Sequence, residues 1–157
     1  TIDRFPAQLV LVGWANDQRV INLVQRALSL GLPFRWEMDV DDQQLSNFYK
    51  WCNFTIYPSL EEGFGLPVAE SLWQGRPCLC SQDGALGELV ANGGCFGVNT
   101  ASWRAIAVAL EKLLHDVDLQ NRLNNEIKGR QARTWDQYAI EMCSSIGISL
   151  ANKMTLY

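Results

Sequence analysis

Short apolar runs alternate with longer stretches of helical periodicity along most of this chain, and that alternation restricts the fold more than any other feature. Leu9-Val10-Leu11-Val12, ended by Gly13, is a continuous apolar run typical of a strand buried on both faces. Val20, Leu23, Val24, Ala27 and Leu28 then recur at helical spacing and stop before Gly31 and Pro33, which terminate helices. Phe34 to Met38 alternates as a strand, and Leu45, Phe48, Tyr49 and Cys52 mark a helix face opened by Asp41 and Asp42. Phe54-Thr55-Ile56-Tyr57 is β-branched and aromatic and is halted by Pro58-Ser59. A helix from Pro67 to Trp73 ends at Gly75, and Pro77 to Cys80 and, more weakly, Cys95 to Val98 supply the last strands. Alternation of this kind predicts an α/β fold, a parallel sheet with helices on both faces. In such sheets ligands bind outside the carboxyl ends of the strands.

From Ser102 onward the pattern is helical. Trp103, Ile106, Ala107, Leu110, Leu113 and Leu114 form one stripe, and Thr134-Trp135-Asp136-Gln137 reads as a capping box. The helix it starts has Tyr138, Met142 and Ile146 facing inward. At 157 residues and 48% hydrophobic the chain can bury the core of one domain, residues 1–157, and is not a disordered sequence. A net charge of -4 with 13 scattered Lys and Arg gives no basic surface for nucleic acid. Lys128, Arg130 and Arg133, the densest basic group, read as a solvated helix end, with peripheral attachment to anionic lipid left open. No apolar run reaches the roughly 18 residues a membrane span needs. The five cysteines have no CxxC spacing and read as reduced and buried, which points to the cytoplasm. Trp36, Trp73, Trp103 and Trp135 fall on apolar stripes and are expected in the core, whereas Trp14, just past Gly13, is left as a surface residue. The opening Thr1 to Pro6 lacks both a signal-peptide pattern and an initiator Met, so the chain is expected to be cut from something longer.

Chemistry concentrates in Pro58-Ser59-Leu60-Glu61-Glu62-Gly63-Phe64-Gly65-Leu66-Pro67-Val68-Ala69-Glu70, which follows a strand and opens a helix. Gly63 and Gly65 let backbone approach a ligand closely, and Pro67 suits a first helical turn. The free N–H groups of that turn form an anion site at the strand's carboxyl end. Carboxylates beside it, Glu62 in the loop and Glu70 one turn into the helix, are wrong for phosphate alone. They suit a ligand that also carries hydroxyl groups, as a nucleotide sugar does. Glu61 reads as a solvated neighbour, Glu70 alternatively as a helix-start carboxylate facing the dipole, and Phe64 alternatively as a core plug.

The run from Tyr57 to Cys78 resembles the donor-binding signature of the retaining glycosyltransferases of family 4, whose GT-B fold pairs two Rossmann-like domains. Glu62 and Glu70, with seven residues between them, are similar to that family's paired-glutamate motif. Val40-Asp41-Asp42, with Leu45 and Tyr49, resembles its base-binding loop and following helix, Ser81 to Glu88 its Gly-rich segment, and Trp103 to Leu114 its next helix. The resemblance implies a carboxy-terminal GT-B domain lacking its first strand–helix unit, which carries the family's diphosphate-binding Arg and Lys. It implies Glu62 as the catalytic residue facing the donor sugar and Glu70 as acceptor of ribose hydrogen bonds. It further implies that Gly63, Phe64, Gly65 and Leu66 contact sugar and phosphates through their backbone, and that Val40 contacts the base.

The implied reaction moves a sugar from a nucleoside-diphosphate donor to an acceptor hydroxyl, in polysaccharide or other glycan synthesis, with no metal or other cofactor. A glycan or lipid-linked acceptor would bind a domain absent here, at the inner face of the membrane, so the fragment alone is expected to be inactive. An epimerase-like nucleotide-sugar enzyme and a non-enzymatic binding domain of the same fold stay open as alternatives. Asn53 and Gly87 depart from the family's usual Asp and Pro.

Overall fold

The computed structural model describes residues 7–130 and 134–147. The chain divides into two compact units, Thr1–Thr55 and Ile56–Tyr157.

In the first unit, β1 (Leu9–Val12) and β2 (Phe34–Glu37) pair in parallel with Leu9 opposite Phe34 and Val12 opposite Glu37. The crossover is α1 (Gln18–Ser29), capped by the Asp17 side chain, and β2 leads into α2 (Asp42–Trp51). Asp41 opens α2, as its sequence position suggests, and does so through a capping box with Gln44. The Trp36 indole donates to the Gly13 carbonyl at 2.9 Å and fixes the end of β1. β1 is not buried on both faces as expected: Leu9 is 51% and Leu11 39% exposed. Within this unit its strand neighbour is β2, and the face bearing Leu9 and Leu11 is left uncovered. Trp14 lies at the surface.

The second unit is built on a sheet in the order β3 (Thr55–Tyr57), β4 (Cys78–Ser81), β5 (Cys95–Val98). β4 is its middle strand, parallel to β5, and all of its residues are buried. The helices are α3 (Leu66–Trp73), α4 (Gly84–Ala91), α5 (Trp103–His115), α6 (Val117–Lys128) and α7 (Trp135–Ser145). Val68, Leu72, Cys78, Cys80, Leu86 and Cys95 form the core, with Tyr57, Leu89, Val90 and Ile127 packed against it. The three core cysteines are free thiols, as expected, while Cys52 and Cys143 are half-buried. A hydrogen bond with Cys78, together with burial, pushes the Cys80 thiol up to about 12. Ala109, Leu113, Leu119 and Leu123 are buried on α5 and α6, whose helical run breaks at Asp116, the cap of both. Glu126 accepts from Gly94 N–H at 2.8 Å and Arg130 donates to the Gly93 carbonyl at 2.6 Å, clasping the end of α6 to the turn before β5.

Several expectations fail here for local reasons. Arg130 is committed to that clasp instead of solvated, and Arg133 lies outside the described residues. The Gly-rich segment Ser81 to Glu88 carries no helical pattern, yet α4 begins within it at Gly84. Trp73 and Trp103 are 64% and 72% exposed, because they sit at the last residue of α3 and the first of α5, where a side chain overhangs the packed face. Trp103 instead carries the Arg104 guanidinium at 5.1 Å from its ring. Tyr138, Met142 and Ile146, expected inward, are exposed, since no described element covers that side of α7. The Trp135 side chain lies outside the described residues.

Candidate functional site

Every loop that shapes the site leaves a carboxyl end of the second unit's sheet. Tyr57, the last residue of β3, keeps its ring against the core and donates its hydroxyl to Glu62 Oε2 at 2.6 Å. The N–H of Gly63 donates to Glu62 Oε1 at 3.0 Å. The Tyr57 bond first, then the Gly63 N–H and those of Phe64 and Gly65, hold the Glu62 carboxyl below the usual carboxylate range. The same bond raises the Tyr57 phenol, which therefore stays a donor. From the end of β5, Thr100 Oγ1 donates to the Ser59 carbonyl at 3.0 Å and ties down the start of the loop.

The two glycines of Gly63-Phe64-Gly65 have different jobs. Gly65 caps α3 with φ 79° and ψ 46°, a conformation that disfavours any side chain. A Cβ there would also lie 2.3 Å from Leu86 Cδ2, in the core. Its carbonyl accepts from the N–H groups of Val68 and Ala69, and Pro67 lies in the first turn. At Gly65 the space a side chain would take is already occupied by Leu86. A Cβ on Gly63 would meet nothing within 4 Å, so its missing side chain leaves room open to an incoming molecule.

Between this loop and the one after β4 lies a cleft of ≈ 180 Å³, lined by Ser59, Leu60, Glu61, Glu62, Ser81, Asp83, Gly84 and Leu86. Three carboxylates and no Lys or Arg line it. That lining accepts hydrogen bonds from hydroxyl groups and repels phosphate. Gly84 begins α4, so the N-terminal end of that helix also borders the cleft. Neither α3 nor α4 has a side-chain cap bond, and Asp83 N–H donates to Ser81 Oγ at 3.2 Å.

Glu62, Gly63, Phe64, Gly65 and Leu66 are contiguous in this loop and turn, and Glu70, exposed, lies four residues beyond Leu66 on the same face of α3. Val40 belongs to the first unit, between β2 and α2. Phe64 is no core plug, being 64% exposed. Glu61 is exposed and lines the cleft. Sequence reasoning missed Tyr57, Ser81 and Asp83 as site residues. A hydroxyl-bearing aromatic at a strand's last position and a Ser-x-Asp beginning the next loop were the available signals. Among the described residues no group of His, Cys, Asp and Glu is placed to hold a metal ion.

The family model described as Glycosyl transferases group 1 matches residues 3–130. The chain belongs to this family. It is 32% identical over 112 residues to O-antigen chain mannosyltransferase B of Escherichia coli, a match covering 62% of this chain and 29% of that protein. It is also 32% identical over 85 residues to a trehalose synthase of Rubrobacter xylanophilus, covering 54% of this chain and 20% of that one. Among solved structures, sucrose-phosphate synthase from Thermosynechococcus elongatus superposes with a TM-score of 0.72 at 25% identity, over 91% of this chain and 39% of that one. This group 1 chain thus spans less than a third of those two sequence relatives. Its α/β fold with parallel sheets is of the GT-B type, as the sequence led us to expect. No helix among the described residues is long and apolar enough to cross a membrane.

Proposed function

We propose that this chain is the donor-binding half of a retaining family 4 glycosyltransferase. The enzyme moves a sugar from a nucleoside-diphosphate donor to an acceptor hydroxyl in polysaccharide synthesis. The observation that carries this reading is the acidic, cation-free cleft beside the N-terminal end of α4, with the Glu62 carboxylate immobilised on its rim. A nucleotide sugar divides along the same lines, since its sugar offers hydroxyl donors and its diphosphate offers anionic oxygens. Glu62, ionised and held, sits nearest the sugar and opposes the positive charge that develops as the bond to the diphosphate breaks. The amides from Gly63 to Leu66 receive sugar hydroxyls and phosphate oxygens, Glu70 the ribose hydroxyls, and Val40 the base. Departure of the diphosphate is assisted by N–H groups and by cationic side chains supplied elsewhere in the enzyme, without a metal. The acceptor, a glycan or lipid-linked sugar, is held by another part of the enzyme, on the cytoplasmic side of a membrane.

Calorimetric titration with UDP, GDP and their hexose conjugates tests this reading. Saturable binding of one nucleotide series is expected, weakened at least about tenfold by Glu70→Ala, the scale of a lost hydrogen bond to a charged group. Absence of binding to every one of these ligands would overturn it. In the complete enzyme, Glu62→Ala should lower turnover far more than nucleotide affinity.

A further inference from the structure

The reading of Glu62 as the sugar-facing carboxylate leaves open what aims it. We infer that Tyr57 is a positioning residue, whose hydroxyl fixes the Glu62 carboxylate at the cleft rim for the donor's sugar. The inference rests on the donor-site reading above and adds a residue with no role in it.

Tyr57 is well placed for this. Its backbone belongs to β3, and its ring packs against the core cluster that holds Val68, Leu86 and Cys80. The phenol therefore projects from a fixed base. It meets Glu62 Oε2 at 2.6 Å while Gly63 N–H meets Oε1 at 3.0 Å, so the two carboxylate oxygens are held by different donors, one a side chain and the other backbone. A glutamate in an exposed loop otherwise samples several rotamers, and two tethers select one. The other charged groups on the cleft, Glu61 and Asp83, are carboxylates that cannot donate to Glu62 when ionised. Tyr57 is thus the side chain that orients Glu62. A phenol serves here because, with its pKa raised, it remains protonated beside the anion.

Tyr57→Phe keeps the packed ring and deletes only the donor. In the 157-residue chain, two measurements on wild type and variant decide the matter. Titration of the Glu62 carboxyl carbon by NMR should show an upward pKa shift in Tyr57→Phe. Calorimetry should show weaker binding of UDP- or GDP-hexose, by about tenfold, with binding of the bare nucleotide diphosphate unchanged. An unmoved Glu62 titration would overturn the inference, as would equal losses for the sugar-bearing and bare nucleotides. If wild type binds no nucleotide sugar at all, the donor-site reading fails along with the role of Tyr57 in it. If wild type binds and the variant binds equally well, only the role of Tyr57 fails.

Discussion

Replacing each glycine of Gly63-Phe64-Gly65 by alanine separates the structural demands of the loop from its functional ones. At Gly65 three terms contribute. Placing a Cβ residue at φ 79° costs about 1–2 kcal/mol. The new methyl would sit 2.3 Å from Leu86 Cδ2, and Leu86 is only 1% exposed, so relief requires moving core atoms. Overpacking of that kind costs about 1–3 kcal/mol. Reduced freedom of the unfolded chain returns roughly 0.4–1 kcal/mol. Gly65→Ala should therefore destabilise the second unit by about 1–5 kcal/mol, a large part of the roughly 5–15 kcal/mol typical of a domain. Gly63→Ala meets no atom within 4 Å and no positive φ, and should lie within about 0.5 kcal/mol of wild type. Native-state hydrogen exchange at the β4 amides reports the opening of this unit's core specifically. Calorimetry on the same samples should show Gly63→Ala binding nucleotide sugar at least about tenfold more weakly than wild type. If Gly65→Ala protects β4 as well as wild type does, or Gly63→Ala loses as much protection, the division of labour is wrong.

Three further outcomes follow from the same geometry. Gly87 lies inside α4, where Gly→Ala ordinarily gains roughly 0.5–1 kcal/mol, but a Cβ there would lie 2.5 Å from the Gln82 carbonyl oxygen. Gly87→Ala should lower the thermal midpoint, and a raised midpoint would refute the clash. A thiol reagent such as DTNB should titrate Cys52 and Cys143 in the folded chain and reach Cys78, Cys80 and Cys95 only on unfolding, because burial and the raised Cys80 thiol withhold the thiolate. The Glu62 carboxyl is held low in the folded state, so its bonds stabilise the fold above the ordinary carboxylate pKa. That stability is lost as pH falls through the depressed folded value. Urea midpoints of wild type and Tyr57→Phe should accordingly differ at neutral pH and converge in strong acid; a gap that persists in acid would exclude Glu62 as its source.

Much of the fold was legible because its signals are local. Thr134 with Gln137 forms the capping box its spacing predicts, and Asp41 opens α2 as its position predicts. The apolar runs at β1, β4 and β5 are strands. What local signals misjudged was partnership. The continuous Leu9 to Val12 run reads as doubly buried, yet one face of β1 is uncovered within its unit. Trp73 and Trp103 match their stripes by periodicity, yet a periodicity says nothing about being the last or first residue of a helix. α4 was hidden because Gly84 and Gly87 depress the propensity of an eight-residue helix. In the candidate site, Glu62 and its loop were visible as residue types, but the Tyr57 bond was not, because nothing in a strand's sequence says which way its last hydroxyl turns.

The loop owes its shape to residues in and around the core. Tyr57 fixes Glu62 from the end of β3, Leu86 on α4 closes the space above Gly65, and Thr100 beyond β5 holds Ser59. These anchors come from different elements around β4, so the loop is rigid only as far as β4 and its neighbours are. That is the arrangement a site needs if it must present a carboxylate and backbone amides to a ligand without spending binding energy on ordering them. It also means that defects in the core should be read at the cleft. A small loss of packing under Leu86 would loosen Gly65, and with it the turn that sets the Gly63 to Leu66 amides. Weakened ligand binding in a core variant would then arise with every site residue still in place. Residues whose change leaves the fold intact and affects the ligand alone must be those whose side chains no anchor uses, and by that criterion Gly63, which tethers Glu62 through its backbone N–H alone, and Asp83, whose side chain makes no cap bond to α4, are the positions to examine first.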